Sequence, residues 1–203
     1  MRKIFVTGIG TDVGKTVVSA ILTEALEADY WKPVQAGDLD HSDTMKVQNL
    51  VSNTTTVFHP EAYRLSQPMS PHAAAAIDGV EIDLSNISLP ETTNNLVIEG
   101  AGGLMVPLND SKLIIDLIQQ LEVEVVLVVQ NYLGSINHTL LSIDALKARN
   151  INVLGIIFNG EENKASEDYI LIYSDLPCLG RVKKHITLTK QEVLEYKNQF
   201  NQL

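Results

Sequence analysis

The sequence has little of several features that would assign it to a function class at once. Its single cysteine, Cys178, excludes an intrachain disulfide and a metal site built from cysteines. Because it follows Pro177, we interpret Cys178 as a small buried hydrophobic residue. Aromatic residues make up only 5% of the chain, with one tryptophan, so we expect no platform of rings for stacking single-stranded nucleic acid.

Positive charge and long apolar runs are scarce too. Fifteen Lys and Arg residues against 25 Asp and Glu give a formal net charge of -10, which opposes general binding to nucleic acid or to anionic lipid. The apolar run at residues 123–129 is far shorter than the about 20 residues that cross a bilayer. The first residues lead directly into a strand-like run without a secretory signal. We therefore expect a cytoplasmic protein that binds neither membranes nor nucleic acid.

Short apolar runs bounded by glycine or turn residues recur along the chain. They predict strands at residues 4–6, 30–31, 96–98, 123–129 and 153–158, and helical periodicity predicts helices at residues 16–26, 113–121 and 136–146. Ser135 is predicted to cap the last of these helices. Fully apolar strands alternating with helices indicate an α/β fold whose mostly parallel sheet is covered by helices on both faces. We expect a single domain over residues 1–203, with segment 38–90 adding helices and loops over the sheet edge.

The stretch "GIGTDVGKT" at residues 8–16 connects the first predicted strand to the first predicted helix. Its backbone amides and Lys15 can surround phosphate groups, and the Thr16 hydroxyl can reach a magnesium ion. The strict phosphate-loop pattern requires glycine where Ile9 stands. The order of strand, Gly14-Lys15-Thr16 and helix nevertheless favours phosphate binding over a tight turn that only enters a helix.

Four more polar residues follow predicted strands, where α/β proteins bind their ligands. Glu99 ends the run "NLVIEG" beside the phosphate loop, and we favour a magnesium-binding role over a solvated strand end. Lys32 either faces solvent or faces a transferred phosphoryl group, and Asp43 either caps the next helix or binds magnesium. Asn159 by itself is best explained as a turn residue before Gly160, although its carboxamide suits an adenine edge.

Other catalytic arrangements are missing from the sequence. The five histidines show no spacing typical of a metal site, so we expect no zinc. There is no G-x-S-x-G nucleophile motif. The remaining residues favour catalysis by magnesium, by lysine and by positioning of the substrates.

Taken together, the motifs resemble those of the dethiobiotin synthase family. They are, in order, "VTGIGTDVGKT", "KPVQAG", "HSD", "SPH", "VIEGAGGLMVPL", "LGSINHTLL" and "IFNG", and they cover roughly residues 3–160. The resemblance implies a homodimeric P-loop NTPase-like fold of three layers. It also implies a ligase of biotin biosynthesis that uses magnesium, ATP and CO2 to close a cyclic urea on 7,8-diaminononanoate through a phosphorylated carbamate, giving dethiobiotin, ADP and phosphate.

The resemblance also implies roles for individual residues. The catalytic residues would be Lys15, Lys32 and Thr11. The magnesium ligands would be Thr16, Asp43 and Glu99. Contacts to the nucleotide would come from Asp12, Val13, Gly14, Lys15, Thr16, Val17 and Asn159. Contacts to the diamine substrate would come from Thr11, Lys32, Ser70, Pro71 and Gly102, and from Gly134, Ser135, Ile136 and Asn137 of the neighbouring subunit.

The sequence departs from the family pattern at three places. Asp12 stands where many members have glutamate, Ala36 stands where serine or threonine is common, and the residues from Glu161 onward lack a clear match to the nucleotide-base loops. Selectivity for ATP over other nucleoside triphosphates is therefore left open.

Two other readings compete with the ligase. A nucleotide-switch ATPase of the chromosome-partitioning or division-site type would share this fold, but such proteins usually carry a second lysine where Gly10 stands. The C-terminal tail also lacks the cationic amphipathic face of a membrane-binding helix. An amidotransferase-related synthetase would need a glutaminase domain, for which 203 residues leave no room.

Overall fold

The computed structural model describes residues 1–185 and 187–203. Its strands are β1 (Lys3–Gly8), β2 (Asp29–Trp31), β3 (Val34–Ala36), β4 (Phe58–His59), β5 (Tyr63–Leu65), β6 (Leu96–Gly103), β7 (Glu124–Gln130), β8 (Val153–Asn159) and β9 (Cys178–Val182). Its helices are α1 (Lys15–Ala25), α2 (Asp43–Leu50), α3 (Pro71–Asp78), α4 (Ile114–Leu121), α5 (Ser135–Ala148), α6 (Lys164–Ser174), α7 (Lys190–Glu195) and α8 (Lys197–Phe200). Two short 3-10 turns lie at Leu39–His41 and Leu84–Asn86.

Seven strands form one parallel sheet in the order β4-β2-β6-β1-β7-β8-β9. Both faces of this sheet are buried, which explains why its central strands consist mainly of apolar residues. In β1, Ile4 and Val6 face the core that contains α1, whereas Phe5 faces the core that contains α4. Full burial of one such side chain contributes about 1.5–3 kcal/mol. The α/β fold and the predicted strands and helices are confirmed.

The segment 38–90 is more ordered than the sequence indicates. It supplies α2 and α3, as predicted, but β4 also pairs with β2 and extends the main sheet by one strand. In addition, β5 pairs with β3 to form a separate two-stranded parallel sheet. These strands have only two or three residues, too few to show a periodic pattern.

Two local predictions are wrong. Cys178 is exposed, because it begins β9, the last strand of the sheet, which has a neighbour on one side only. Ser135 is the first residue of α5 and does not cap it, because Gly134 occupies the cap position with a φ of 102°, a left-handed backbone that suits glycine. None of the helices within the described residues is long and apolar enough to cross a membrane.

The topology places a crevice above the middle of the sheet. From β1 the chain crosses to β2 on one side, while β7, β8 and β9 extend the sheet on the other side. In open α/β sheets, ligands bind at the carboxyl ends of the strands where the direction of winding changes. In this fold that position is the carboxyl end of β1, where residues 8–16 begin.

Candidate active site

A cavity of about 730 Å³ opens at the carboxyl edge of the sheet. It is lined by the loop after β1, the start of α1, the residues after β2, the carboxyl-terminal half of β6, and the N-terminal turns of α2 and α3. Most of the predicted site residues meet here: Thr11, Asp12, Gly14, Lys15, Thr16, Val17, Lys32, Asp43, Ser70, Pro71, Glu99 and Gly102. The fold thus brings together side chains that lie up to about 90 positions apart in the sequence.

The phosphate loop owes its shape to close packing around two of its glycines. Gly14 has a φ of 95°, and a Cβ atom at this position would lie 2.0 Å from Nδ2 of Asn159. A Cβ atom on Gly8 would lie 2.4 Å from the side chain of Val13. Because Gly14 occupies the N-terminal cap of α1 and has no side chain, the first amides of that helix are left to bind an anion.

Asp12 lies at the cavity wall in a left-handed conformation, with a φ of 58°. Aspartate adopts this region more readily than most residues because its short polar side chain can hydrogen-bond locally. The backbone therefore gives a physical reason for aspartate at a position where the family pattern has glutamate.

Lys15 is buried at the mouth of the loop, and its Nζ donates a hydrogen bond to the carbonyl of Gly10 over 2.8 Å. Burial lowers the pKa of Lys15 to about 8, while the carboxylate of Glu99 acts in the opposite direction. Lys15 is therefore a cation at neutral pH that loses its charge within a mildly alkaline range. A bound phosphate would replace the Gly10 carbonyl as its partner and favour the charged form.

Glu99 is the centre of a buried polar cluster. Its Oε1 accepts hydrogen bonds from the Thr16 hydroxyl at 2.8 Å and from Lys32 Nζ at 3.1 Å. Its Oε2 accepts a hydrogen bond from the Tyr30 hydroxyl at 2.9 Å. Lys32 Nζ also lies 2.8 Å from Oδ2 of Asp43 and 3.3 Å from the Gly100 carbonyl. Two of the three predicted magnesium ligands, Asp43 and Glu99, thus contact Lys32, and the third, Thr16, is bonded to Glu99.

Charge compensation decides the protonation states in this cluster. Burial by itself lowers the pKa of Lys32, but the carboxylates of Glu99 and Asp43 more than offset this effect, so its pKa is raised. Burial by itself raises the pKa of Asp43, but the Lys32 ammonium group reverses this, so its pKa is lowered. Lys32 and Asp43 are therefore both charged over the whole physiological range.

Two neighbours hold Asp43 in place. The amide of Asp43 donates to Oε1 of Gln35, whose Nε2 in turn donates to the Gly37 carbonyl. Lys46, one helical turn later, lies 3.3 Å from Oδ1 of Asp43 and 2.8 Å from Asp38. Asp43 does not cap α2, since Ser42 does so by accepting a hydrogen bond from the Met45 amide. The capping alternative for Asp43 is therefore wrong.

The donor set fits magnesium bound together with a nucleotide. No group of three or more His, Cys, Asp or Glu side chains in the described part of the chain is arranged to hold a metal ion. Magnesium in phosphate-transfer sites is commonly held by one or two protein oxygens, by the substrate phosphates and by water. The hydroxyl of Thr16 and the carboxylates of Asp43 and Glu99 are oxygen ligands of that kind on the wall of one cavity.

Asn159 lies on the other side of the phosphate loop, at the end of β8. Its Nδ2 donates a hydrogen bond to the Val13 carbonyl over 3.0 Å, which ties β8 to the loop. Neither Val13 nor Asn159 lines the cavity. Reading of adenine by Asn159 stays a prediction, and holding the loop is a role that the sequence did not indicate.

The start of α5 lies outside the cavity of this chain. Gly134, Ser135, Ile136 and Asn137 are absent from its lining, whereas Thr11, Ser70, Pro71 and Gly102 contribute to it. Leu133 next to this helix start is fully exposed, and Leu141 on the same helix is 59% exposed. Residues 134–137 therefore do not line the cavity of their own chain.

Sequence reasoning missed several residues of the site. The apolar pattern places Tyr30 in a strand, and no motif gives a role to Gln35 or Lys46. The one available signal was for Lys46, because it follows Asp43 by three positions and residues at that spacing share a helix face. For Tyr30 and Gln35, the partners come from distant parts of the chain or depend on the shape of a turn.

Comparison with known proteins gives close relatives over almost the whole chain. A family model described as an AAA domain matches residues 2–192. The ATP-dependent dethiobiotin synthetase BioD of Christiangramia forsetii is 55% identical over 98% of this chain and 96% of its own length. The protein of the same name from Cytophaga hutchinsonii is 54% identical over 97% of this chain and 95% of its own length.

Solved structures with low sequence identity share the fold. The cell division ATPase MinD of Pyrococcus furiosus has a TM-score of 0.66 and 14% identity, and the match covers 100% of this chain and 99% of that protein. A ParA family ATPase from Chlorobium tepidum has a TM-score of 0.59 and 12% identity, with 97% of this chain and 98% of that one covered. At this level of identity the match shows the fold alone.

Proposed function

The chain belongs to the ATP-dependent dethiobiotin synthetase family, whose reaction in biotin biosynthesis closes the cyclic urea of dethiobiotin from 7,8-diaminononanoate, CO2 and ATP. From this premise we infer how the residues of the cavity carry out the reaction. The observation that supports the mechanism best is that Lys15 and Lys32 line the same cavity as Thr16, Asp43 and Glu99. Two buried cations in one cavity suit a reaction in which two anions, a carbamate and a triphosphate, must approach each other.

The reaction proceeds in three steps. One amine of the substrate attacks CO2 and loses a proton, which gives a carbamate. A carbamate oxygen then takes the γ-phosphoryl group, the bond to the β-phosphate oxygen breaks, and ADP is formed. The second amine attacks the carbamate carbon, the C–O bond to phosphate breaks, and phosphate leaves as the ring closes. No protein nucleophile is needed, because alignment and charge compensation carry phosphoryl transfer.

In our proposal the two lysines have different roles. Lys15 exchanges the Gly10 carbonyl for the phosphates of ATP. Lys32 uses its three N–H groups on Asp43, Glu99 and Gly100, and the longest of these contacts, 3.3 Å to the Gly100 carbonyl, is the one most easily exchanged for the carbamate or the moving phosphoryl group. Thr11 lies on the cavity wall, and its hydroxyl would donate to the same reacting atoms.

Magnesium would bind the nucleotide phosphates in this cavity and would neutralise their charge during transfer. Thr16, Asp43 and Glu99 would hold it. The remaining loop residues, Asp12, Val13, Gly14 and Val17, would contact the nucleotide, and Asn159 would read its base.

We further propose that two chains complete each site. Ser70, Pro71 and Gly102 line the diamine end of the cavity in one subunit, and residues 134–137 of a second subunit bring the N-terminus of α5 to the substrate carboxylate. The exposed Leu133 and Leu141 support a subunit contact beside this helix start. A mixture of Lys15→Ala and Asn137→Glu subunits should then regain activity that neither variant has alone, and a mixture that stays inactive would contradict a shared site.

The function is tested by phosphate release from magnesium ATP and bicarbonate, measured with and without 7,8-diaminononanoate. We expect release that depends on the diamine, with one cyclic urea per phosphate by mass spectrometry. Lys15→Ala serves as the matched inactive control and should lose most of the release while keeping its fold. Release indifferent to the diamine would contradict the ligase and would favour a nucleotide switch, the function class of the division and partition ATPases that share the fold.

A further inference from the structure

The Tyr30 hydroxyl is a polar group at the end of an otherwise apolar, fully buried side chain. The ring is part of the core between the sheet and α1, and its centre lies 5.9 Å from the centre of the Phe58 ring. The hydroxyl donates a hydrogen bond to Oε2 of Glu99 over 2.9 Å. A buried tyrosine hydroxyl needs a partner, and here the partner is a carboxylate on the cavity wall.

The direction of this hydrogen bond does not change with pH. Burial, together with the nearby charge of Glu99, raises the pKa of Tyr30 well above its ordinary value. The phenol therefore keeps its proton at every pH at which the protein works, and it acts as a donor toward Glu99 throughout.

Glu99 is held at both of its oxygens by three residues, which come from two parts of the chain. Oε1 accepts from Thr16 on α1 and from Lys32 after β2, and Oε2 accepts from Tyr30 on β2. A carboxylate held at one oxygen can still rotate about its terminal bond, whereas one held at both oxygens cannot. The donor on Oε2 thus decides that Oε1 faces Thr16.

We propose that Tyr30 is a positioning residue for the reaction and that it acts by fixing the Glu99 carboxylate. With Glu99 fixed, the Thr16 hydroxyl donates its proton to Glu99 and turns the lone pairs of its oxygen toward the metal-bound nucleotide. This inference rests on the proposed function, in which Thr16 and Glu99 hold magnesium. The alternative is that Tyr30 only fills the core, and the two differ in a measurable way. A core-filling tyrosine affects nucleotide binding equally with and without magnesium, whereas a positioning tyrosine affects only the part that depends on magnesium.

The test measures binding of ADP by isothermal titration calorimetry, in magnesium and in excess chelator, for the unaltered protein and for Tyr30→Phe, Tyr63→Phe and Glu99→Gln. Tyr63→Phe is the matched control, because it also removes a phenolic oxygen that makes hydrogen bonds, but the partner of Tyr63, Asp83, lies outside the cavity lining, whereas Glu99 is part of it. For Tyr30→Phe we expect the enhancement of ADP binding by magnesium to fall about tenfold, the range given by loss of a hydrogen bond to a charged group, with binding in chelator unchanged.

Three results would overturn the inference, and they separate it from the proposed function. If Glu99→Gln loses the magnesium enhancement and Tyr30→Phe keeps it, Tyr30 does not position Glu99 and the proposed function stands. If both variants keep the enhancement, the metal role of Glu99 itself fails. If Tyr30→Phe weakens binding equally in magnesium and in chelator, the tyrosine is structural only.

A donor can also be restored at the same place. With 4-aminophenylalanine at position 30, an N–H group occupies the position of the hydroxyl, and we expect the unaltered magnesium enhancement to return. With 4-fluorophenylalanine, the volume is kept without a donor, and the enhancement should stay low. This pair replaces Tyr30→Phe if the smaller side chain leaves a void that prevents folding, and equal behaviour of the two would contradict the proposal.

Discussion

The two sides of the phosphate loop are built from different chemistry. Toward β6, buried charges face the cavity, with Lys32 between Asp43 and Glu99. Toward β8, polar side chains are used to hold backbone, since Asn159 donates to Val13 and Arg181 donates to the Gly160 carbonyl. Under the proposed function, the β6 side would stabilise moving charge, whereas the β8 side would fix the shape of the loop that receives the nucleotide.

The largest effect is expected from a substitution on the β6 side of the phosphate loop. Lys32→Gln should lower kcat by about 100-fold to 1,000-fold, the loss typical of removing one electrostatic group from a transition state, while KM for ATP changes by less than about fivefold. Steady-state kinetics measures both quantities. The control is Lys46→Gln, which removes another cation from Asp43, but one that is 46% exposed, and we expect a loss in kcat below about tenfold. Equal losses for the two lysines would contradict a special role for Lys32.

The pH dependence of ATP binding should sharpen the contrast between the two lysines. Because the pKa of Lys15 is lowered to about 8 and that of Lys32 is raised, only Lys15 loses its charge between pH 7.5 and 9. Below its pKa Lys15 is a cation and binds ATP, and above it the neutral amine does not, so KM for ATP should rise about tenfold over this range. Calorimetry in buffers of different ionisation enthalpy should show proton uptake on ATP binding near pH 8.5. Binding without proton uptake would contradict the assignment.

On the β8 side, a smaller and different effect is expected. Asn159→Ala removes the hydrogen bond to Val13 and the predicted contact to adenine, so KM for ATP should rise about fivefold and the preference for ATP over GTP should weaken, with kcat within about threefold. The control is Asn152→Ala, which removes a side-chain amide that donates a hydrogen bond to Glu124 at the opposite end of β8. Unchanged discrimination between ATP and GTP would count against the adenine contact.

The smallest effect is expected one step further from the loop. Arg181 pairs with Glu167, lies over the ring of Phe158 and donates to the carbonyl that follows Asn159. Arg181→Gln should raise KM for ATP about twofold to threefold and leave kcat unchanged. Arg149→Gln removes a salt bridge of similar exposure to Asp116 and should change neither constant. A fall in kcat for Arg181→Gln would mean that the β8 side takes part in the chemistry.

The sequence predicted the parts of the fold that are repetitive and the residues that carry a motif. Continuous apolar runs predicted the central strands, and the motif between β1 and α1 singled out Lys15 and Thr16, which line the cavity. The two-residue strand β4 and the pairing of β3 with β5 could not be predicted, because strands of two or three residues show no periodic pattern. The exposure of Cys178 could not be predicted for a different reason. It depends on the position of β9 at the edge of the sheet, which no local pattern in the sequence gives.

Within the site, contacts that join distant parts of the chain were the hardest to predict. The hydrogen bonds from Tyr30 to Glu99 and from Asn159 to Val13 span 69 and 146 positions, and neither has a local pattern. The role of Gln35 depends on the turn at Gly37, which brings its side chain back to Asp43. The single domain and the cytoplasmic location stay predictions.

The division between the two sides is tested most directly by single-turnover phosphate formation at saturating ATP and diamine, measured for Lys32→Gln and Asn159→Ala side by side. Saturation removes differences in binding, so the rate reports the chemical step. We predict that Lys32→Gln is slower than the unaltered enzyme by about two orders of magnitude or more and that Asn159→Ala is within about threefold of it. Two variants that are slowed alike, or a slower Asn159→Ala, would contradict the account.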